Sequence, residues 1–408
     1  MGTYDDLAAV CSQVREATDD DRVDGVQPTL VATPASTEET SALLRVAARH
    51  GLSIVPRGNG SKLTWGMPPR HVDLVVDMTD LDRVIEHAAG DLIVVAEAGV
   101  QLTKLQRQLA PAGQRLALDE TVPGSTIGGI VATSPSGPHR MATGTARDLL
   151  IGVTIVRADG VVAKSGGKVV KNVAGYDLGK LLTGSFGTLG LITQAAFRLH
   201  PLPPAVRWVQ AAAGTESAAG ALVESVLHSQ TVPTALEIDW PADGTGSVAV
   251  KLAGTEAGVD ARARAVADLL GPAAEILDDA PGWTTSYPWA AGGIALKLTC
   301  QLSAVAEVLA AARSAEVPVA TRGSAGVGVL YGGLPAGSEP ETAKRVVDRL
   351  RRTCGSRGGN VTVVDAPADV KAAVDVWGPV PALDLMRRVK DQFDPDHRLA
   401  PGRFVGGI

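Results

Sequence analysis

Hydrophobic residues along the chain fall into two patterns that meet near residue 200. Ser36-Thr37-Glu38-Glu39 matches a capping box, and Leu43, Leu44 and Val46 follow at helical spacing until Gly51 closes the helix. Leu52–Pro56 then reads as a short strand, as do Leu74–Asp77, Arg83–His87 and Leu92–Ala96. Leu102–Leu109 has helical periodicity with Gly113 as its stop, and Thr126–Thr133 predicts a short helix. Leu149–Arg157 and Val161–Lys164 flank Ala158-Asp159-Gly160, which predicts a hairpin. A helix over Tyr176–Leu182, a tight loop over Gly184–Gly190 and a strand over Leu191–Leu199 complete this half.

His200-Pro201-Leu202-Pro203-Pro204 predicts a stiff linker. Beyond it the chain is Ala-rich, with helical patterns at Glu216–His228, Val259–Leu270, Val305–Ala315 and Ala343–Arg352. Strand-like runs alternate with them at Arg207–Ala211, Ala235–Trp240, Val248–Leu252, Ala295–Thr299, Gly328–Tyr331 and Val361–Val364. This alternation predicts helices on one face of an antiparallel sheet. A last helix, Leu383–Phe393, precedes an irregular tail, Asp394–Ile408. The expected division is 1–203, 204–380 as a cap, and a C-terminal segment 381–408 that returns to the first part.

Composition narrows the function classes. A net charge of −6, without a long basic block, argues against nucleic acid as a main partner. Aromatic residues at 3% offer no base-stacking platform. No apolar run approaches the roughly 18 residues of a membrane span, and the acidic start Met1–Asp6 lacks the features of a signal peptide. Cys11, Cys300 and Cys354 are too few and too separated for a disulfide framework or a metal site. The expected setting is cytoplasmic, with no metal.

Two glycine-rich loops carry the candidate chemistry. Val55-Pro56-Arg57-Gly58-Asn59-Gly60-Ser61 follows an apolar run, and Asp119–Asp148 contains Pro123-Gly124-Ser125-Thr126-Ile127-Gly128-Gly129. Gly58-Asn59-Gly60-Ser61-Lys62-Leu63 begins like a dinucleotide fingerprint, but Leu63 stands where the third glycine is required. Neither Lys168 nor Lys180 has P-loop spacing, and Gly184-Ser185-Phe186-Gly187 lacks the hydrolase elbow. A different anion site survives: successive backbone N–H groups in a glycine turn can hold a diphosphate without lysine. Arg57–Ser61 and Pro123–Gly129 read as two walls of one cradle, or else as two separate surface loops.

These loops occur in the order seen in the vanillyl-alcohol-oxidase or PCMH-type FAD-binding family. Gly144-Thr145-Ala146-Arg147-Asp148, Lys171–Leu178 and Gly184-Ser185-Phe186-Gly187-Thr188-Leu189-Gly190-Leu191-Ile192-Thr193 extend the match. Phe393-Asp394-Pro395 and Pro401-Gly402-Arg403 resemble the family's C-terminal return to the flavin. The Arg-Gly-x-Gly-Ser-Lys form of the first loop is most similar to FAD-binding subunits of bacterial glycolate oxidases, the GlcE type. The resemblance implies an α+β fold: a two-part FAD-binding domain plus an α+β cap with an antiparallel sheet.

It also implies roles. Arg57, Gly58, Asn59, Gly60 and Ser61 would hold the FAD diphosphate, and Pro123, Gly124, Thr126, Gly128 and Gly129 would line the flavin and ribityl chain. Ser136 and Gly137 would continue that wall, Ile192 would sit near the cofactor, and Arg403 stands where the family usually has lysine. Ala400 replaces a usual asparagine. Ser61 occupies the approximate place of the histidine in covalently flavinylated relatives, so FAD is expected to be non-covalent.

Oxidation of a hydroxy acid further needs a base and a cation for the carboxylate. His139, Tyr176, Lys297 and Arg322 are the candidates, each with a structural or ion-paired role as the alternative. His228 is the cap's one histidine and reads as a surface residue. The clustered histidines of metal-dependent relatives are missing. That absence favours an FAD-binding subunit of a glycolate or 2-hydroxy-acid oxidase complex, with a larger flavoprotein subunit and an iron–sulfur subunit as partners, peripheral at the inner membrane through them. The alternatives are a self-sufficient FAD-dependent dehydrogenase of another small hydroxy acid or alcohol, and a non-catalytic assembly subunit.

Overall fold

A computed structural model describes residues 2–167 and 177–408, which divide into two compact units. The first comprises 1–135, 145–202 and 379–408, and the second 136–144 and 203–378. The short segment 136–144 therefore packs with the second unit although it follows the glycine-rich loop in sequence.

In the first unit, one four-stranded sheet has the order Val14–Glu16, Leu30–Ala32, Leu74–Asp77, Ile54–Arg57. The last three strands are mutually parallel, and the first joins antiparallel. Parallel strands are buried on both faces, which is why Leu74-Val75-Val76 is a continuous apolar run. Leu74 and Ile54 face a core shared with Leu43 and Leu44, while Val55 and Val75 face a smaller one with Val31. Leu43 and Leu44 belong to the helix Thr37–Arg49, whose start is fixed by the Ser36 side chain accepting from the Glu39 N–H at 3.0 Å. Strand Ile54–Arg57 ends in register with Leu74–Asp77 and delivers the first glycine loop from a rigid base.

A second, antiparallel sheet has the order Val84–Ala88, Ile93–Glu97, Leu191–Arg198, Leu150–Val156, Val162–Gly166. The hairpin turn at Ala158-Asp159-Gly160 is formed, with Gly160 at φ 79°. Helix Ile127–Thr133 packs on this sheet through Ile127, Ile130 and Val131. The expected helix over Tyr176–Leu182 is present as Gly179–Leu182, and Tyr176 lies outside the described residues.

The proline linker is firmer than a free spacer. His200–Pro201 pairs with Gln114–Arg115 as a two-stranded ribbon, and the Leu202 N–H donates to the Gly113 carbonyl at 2.7 Å. The C-terminal tail returns to the first sheet: Ile54 donates to the Arg398 carbonyl and Ala400 donates to Ile54, each at 2.7 Å.

The second unit is an eight-stranded antiparallel sheet in the order Glu275–Leu277, Ala205–Ala213, Gly246–Gly254, Ala235–Trp240, Ala320–Ser324, Val329–Leu334, Ile294–Thr299, Val361–Asp365. Leu236, Ile238, Val248, Val250, Leu296, Leu298 and Leu330 alternate onto one buried face. Helices Glu256–Leu270, Glu216–Leu227, Val305–Arg313 and Pro340–Ser356 pack side by side against the sheet, in that order. Two strands, Glu275–Leu277 and Ala320–Ser324, have no counterpart in the sequence reading. Thr321-Arg322-Gly323-Ser324 has too few apolar side chains to announce a strand.

Candidate functional site

The first unit contains two adjoining clefts that share Pro56, Arg57, Gly58, Thr126, Gly129, Ala132 and Gly187. One adds Asn59, Gly60, Ser61, Lys62, Leu63, Thr133, Phe186 and Arg403, and the other adds Met78, Ala98, Gly128, Gly190 and Ile192. Three glycines make this surface possible. A Cβ on Gly58 would lie 2.3 Å from Thr126 Oγ1, and one on Gly128 would lie 2.8 Å from the Ala98 Cβ. Gly187, at φ 76°, would bring a Cβ to 2.7 Å from Pro56 Cγ. The absence of side chains lets these segments approach closely, and a glycine-rich turn of this kind can offer backbone N–H groups to an anion.

The two sequence loops are joined directly. Asn59 Nδ2 donates to the Gly124 carbonyl at 2.9 Å, while Thr126 caps the helix Ile127–Thr133 by accepting from Gly129 N–H at 3.3 Å. Gly60 and Gly124 both hold positive φ, 75° and 73°, as the turns require. Pro123 and Gly124 shape the second loop without lining either cleft.

Positive groups around the clefts differ in how they are held. Arg57, which lines both clefts, reaches Asp21 at 2.9 Å and Asp77 at 2.7 Å, so its charge is already compensated. Arg15 at 2.6 Å, with Arg57, holds the Asp21 carboxyl well below the usual carboxylate range. The buried Arg403 donates through one Nη2 to the Leu63 carbonyl at 2.6 Å and the Trp65 carbonyl at 2.9 Å. Lys62, 7% exposed, donates to Ser125 Oγ at 2.7 Å and Ser61 Oγ at 3.1 Å. Burial pushes its ammonium down to about 8, against the opposing pull of Glu120.

Lys62, Phe186 and Gly187 are cleft residues that sequence reasoning left without a role. Phe186 sits at φ 55° and stacks on Phe404 with ring centroids 5.7 Å apart. Their signal was the Gly184–Gly190 motif itself, whose tight turn places Phe186 and Gly187 opposite Pro56. Behind this loop, Lys390 Nζ donates to the Thr188 carbonyl at 2.8 Å, Leu399 carbonyl at 2.9 Å and Asp394 Oδ2 at 2.7 Å. The motif Phe393-Asp394-Pro395 thus locks the tail that carries Arg403 onto the loop that carries Gly187.

The remaining candidates sit in the second unit. Ser136 Oγ lies 3.2 Å from Tyr331 Oη and accepts from Arg140 Nη1 at 2.8 Å, while its carbonyl accepts from Tyr331 Oη at 3.2 Å. Tyr331 also packs on Tyr287 and Trp289. His139 Nε2 lies 3.1 Å from Lys251 Nζ, and since an ammonium can only donate, that ring nitrogen accepts. Arg322, Tyr331 and Lys297 are consecutive cross-strand partners, so they share the sheet face opposite Leu296, Leu298 and Leu330. Arg322 is paired with Asp239 at 2.7 Å, whereas Lys297 has neither an ion pair nor a hydrogen bond among the described residues. Tyr176 lies outside those residues. No group of three or more His, Cys, Asp or Glu side chains suited to a metal occurs among the described residues.

Residues 28–166 match the model of the FAD binding domain. The chain is 33% identical over 216 residues to the glycolate oxidase subunit GlcD of Bacillus subtilis, a match covering 52% of this chain and 46% of that protein. It is 34% identical over 172 residues to a D-lactate dehydrogenase of Archaeoglobus fulgidus, covering 42% and 39%. The matches thus span less than half the length of these curated relatives. Among solved structures, p-cresol methylhydroxylase with substrate bound superposes with a TM-score of 0.76 at 16% identity, covering 98% of this chain and 96% of that one. An alkyldihydroxyacetonephosphate synthase gives 0.70 at 20% identity, covering 92% and 76%. The fold is therefore the α+β PCMH type, the first unit carries an FAD-binding domain, and FAD is its cofactor. The glycine-lined clefts fit that group: they combine exposed backbone, hydroxyls and two buried cations, and no carboxylate lines them.

Proposed function

We propose that this protein oxidises a 2-hydroxy acid to a 2-oxo acid through FAD, as the FAD-binding subunit of a glycolate-oxidase-type complex. The observation that carries the reading is an FAD-binding domain whose relatives include a glycolate oxidase subunit and a D-lactate dehydrogenase. The GlcE-like form of the first loop, Arg57-Gly58-Asn59-Gly60-Ser61-Lys62, supports the subunit assignment. A larger flavoprotein subunit and an iron–sulfur subunit are the proposed partners. No helix among the described residues is long and apolar enough to cross a membrane. Peripheral association with the inner membrane through the partner subunits is part of the proposal.

When bound, FAD supplies the acceptor for a hydride from the hydroxyl-bearing carbon. The chain's residues would do the rest. The backbone of Arg57–Ser61 and the Thr126–Gly129 turn hold the cofactor, with Ile192 as apolar lining and Arg403 as a fixed positive charge. Of the two cap cations, Lys297 is the better carboxylate anchor, because Arg322 already answers Asp239. Arg140, whose partner among the described residues is the neutral Ser136 hydroxyl, is a second cation available to an anion. His139 accepts from Lys251 and so is not poised as a free base at Nε2.

The test is the visible spectrum of the FAD-loaded chain before and after anaerobic addition of glycolate or D-lactate. Bands that bleach only when the partner chains are present support the subunit reading. Bleaching by the lone chain supports a self-sufficient dehydrogenase instead. Failure to take up FAD at all favours the assembly-subunit reading and overturns the proposal. Acid precipitation is expected to release the yellow colour into the supernatant, because Ser61 offers no imidazole for a covalent link.

A further inference from the structure

We infer that Lys62 is the charged anchor for the diphosphate of FAD, completing a site that the backbone N–H groups of the Arg57–Ser61 loop only begin. The inference rests on FAD binding alone and is independent of which hydroxy acid is oxidised.

The argument starts from an imbalance. An ammonium that is 7% exposed is ordinarily matched by a carboxylate, because an isolated buried charge is costly. Lys390, in the same unit, follows that rule with Asp394 at 2.7 Å. Lys62 does not: its partners among the described residues are two neutral serine hydroxyls. Glu120 attracts it through space but makes no ion pair with it, and accepts instead from the Gly124 N–H at 3.0 Å.

The hydroxyls are themselves oriented. Ser125 Oγ donates to the Val122 carbonyl at 2.6 Å, so towards Lys62 it must accept. Ser61 also accepts from Lys62, which leaves its own proton free to point elsewhere. An ammonium has three donors, and two are used by these serines among the described residues. Lys62 lines the cleft together with Gly58, Gly60 and Ser61. Of the other cations lining that cleft, Arg57 is paired with Asp21 and Asp77, while Arg403 is fixed in place by Nη2 donating to two backbone carbonyls. Lys62 is thus a positive charge held in the wall of an anion cradle, without an anion of its own. A diphosphate supplies what is missing, and lysine suits it as a compact point charge.

A consequence follows for pH. Without a phosphate beside it, Lys62 titrates at about 8, because burial disfavours its charged form. A bound diphosphate favours that form and raises the value. FAD affinity is therefore full below about 8 and falls as pH rises above it, until the value in the complex is passed.

The experiment is dilution of the FAD-loaded protein, with release followed by flavin fluorescence, between pH 6.5 and 9.5. Wild type is expected to hold FAD tightly at pH 7 and to weaken progressively above about 8. Lys62→Met should weaken FAD about 10- to 100-fold at pH 7, the size of a charge-assisted hydrogen bond, and should lose the pH dependence. Lys62→Arg should keep most of the affinity and remain flat, since guanidinium does not titrate in this range. Riboflavin, which lacks phosphate, should bind wild type and Lys62→Met alike. The proposal is overturned if Lys62→Met retains the wild-type pH profile, or if it weakens riboflavin as much as FAD. Should Lys62→Met fail to fold, a flat wild-type profile or a large loss of affinity in Lys62→Arg would overturn it equally.

Discussion

The regions around Lys390 and Lys62 treat a buried ammonium in opposite ways. Around Lys390 every donor is answered: Asp394 at 2.7 Å, the Thr188 carbonyl at 2.8 Å and the Leu399 carbonyl at 2.9 Å. Asp394 in turn accepts from the Leu399 N–H at 2.7 Å. The ammonium is fully satisfied, although Asp394 Oδ1 is buried without a hydrogen-bond partner among the described residues, and the product is geometry, because the network fixes the C-terminal tail against the loop that shapes the cleft. Around Lys62 the partners are neutral and the wall is open. Burial lowers the proton affinity of both lysines, with Asp394 opposing the shift at Lys390 and the more distant Glu120 at Lys62. The contrast separates a charge that builds the fold from a charge available to a ligand.

Breaking the Lys390 network should have the largest effect. Lys390→Met leaves Asp394 fully buried without its cation, and a cost of about 3–5 kcal/mol is expected. It should be read as a lower urea midpoint of the FAD-free protein. Adding Asp394→Leu to the same chain removes the orphaned carboxylate, so the double variant should recover part of the loss. Equal stability of Lys390→Met and wild type would show that the network is not what holds the tail. Lys62→Met, by contrast, removes an ammonium without stranding a carboxylate and should leave the FAD-free protein at least as stable.

Next in size is the cradle itself. Gly58→Ala places a Cβ at 2.3 Å from Thr126 Oγ1, so the cap residue of the neighbouring helix must move. Overpacking of this kind costs about 1–3 kcal/mol, and FAD affinity should fall with it because both residues line the clefts. Thr126→Ala in the same chain relieves the clash at the expense of the helix cap, worth about 1 kcal/mol. The pair should therefore couple, and additive losses would show that the two walls move independently.

Lys62 also predicts a pH signature. Lys62 has a native value of about 8, below the ordinary lysine value of 10.5. Between these the unfolded chain holds the proton that the native FAD-free chain has released. The Lys62 contribution to stability is therefore fully present above 10.5 and is lost as pH falls through about 8. With FAD bound this dependence weakens, because the diphosphate favours the protonated form. Urea midpoints measured across pH 7–10 should rise for the FAD-free protein relative to Lys62→Met. The advantage conferred by added FAD should shrink over the same range.

How much of this was legible in the sequence depends on the distance over which each feature is encoded. The glycine loops, the Ala158–Gly160 hairpin, Ala235–Trp240 and Leu383–Phe393 are written in local turn chemistry and periodicity, and the structure has them where the pattern put them. Ala320–Ser324 was illegible because one of its faces is polar, with Arg322 and Ser324 answering Asp239 and Glu237 across the sheet. The Pro340–Ser356 helix outruns Ala343–Arg352 at both ends, since proline at the first helical position marks a start that the apolar pattern does not. Segment 136–144 reads locally as a continuation of the FAD loop. Its attachment to the second unit comes from contacts almost two hundred residues away, between Ser136 and Tyr331, which no local signal encodes. Lys62 was visible as a position inside a failed fingerprint and as the lysine of the Arg-Gly-x-Gly-Ser-Lys loop, with no role attached to it. Its interest lies in a missing carboxylate, and that is a property of the packed structure.

The smallest expected effect tests how the open region is tied together. Asn59 is exposed, and its amide joins the first loop to the second through the Gly124 carbonyl at 2.9 Å. An exposed hydrogen bond of this type contributes about 0.5–1.5 kcal/mol at most. Asn59→Ala should therefore hardly change the urea midpoint of the FAD-free protein. Its effect should appear in FAD retention, because Gly58–Ser61 must then be ordered by the ligand rather than beforehand. The loss should be uniform from pH 6.5 to 9.5, because Asn59 carries no charge and leaves Lys62 in place. A loss that grew with pH would mean that the loop positions the ammonium, and the boundary between geometry and charge in this region would have to be redrawn.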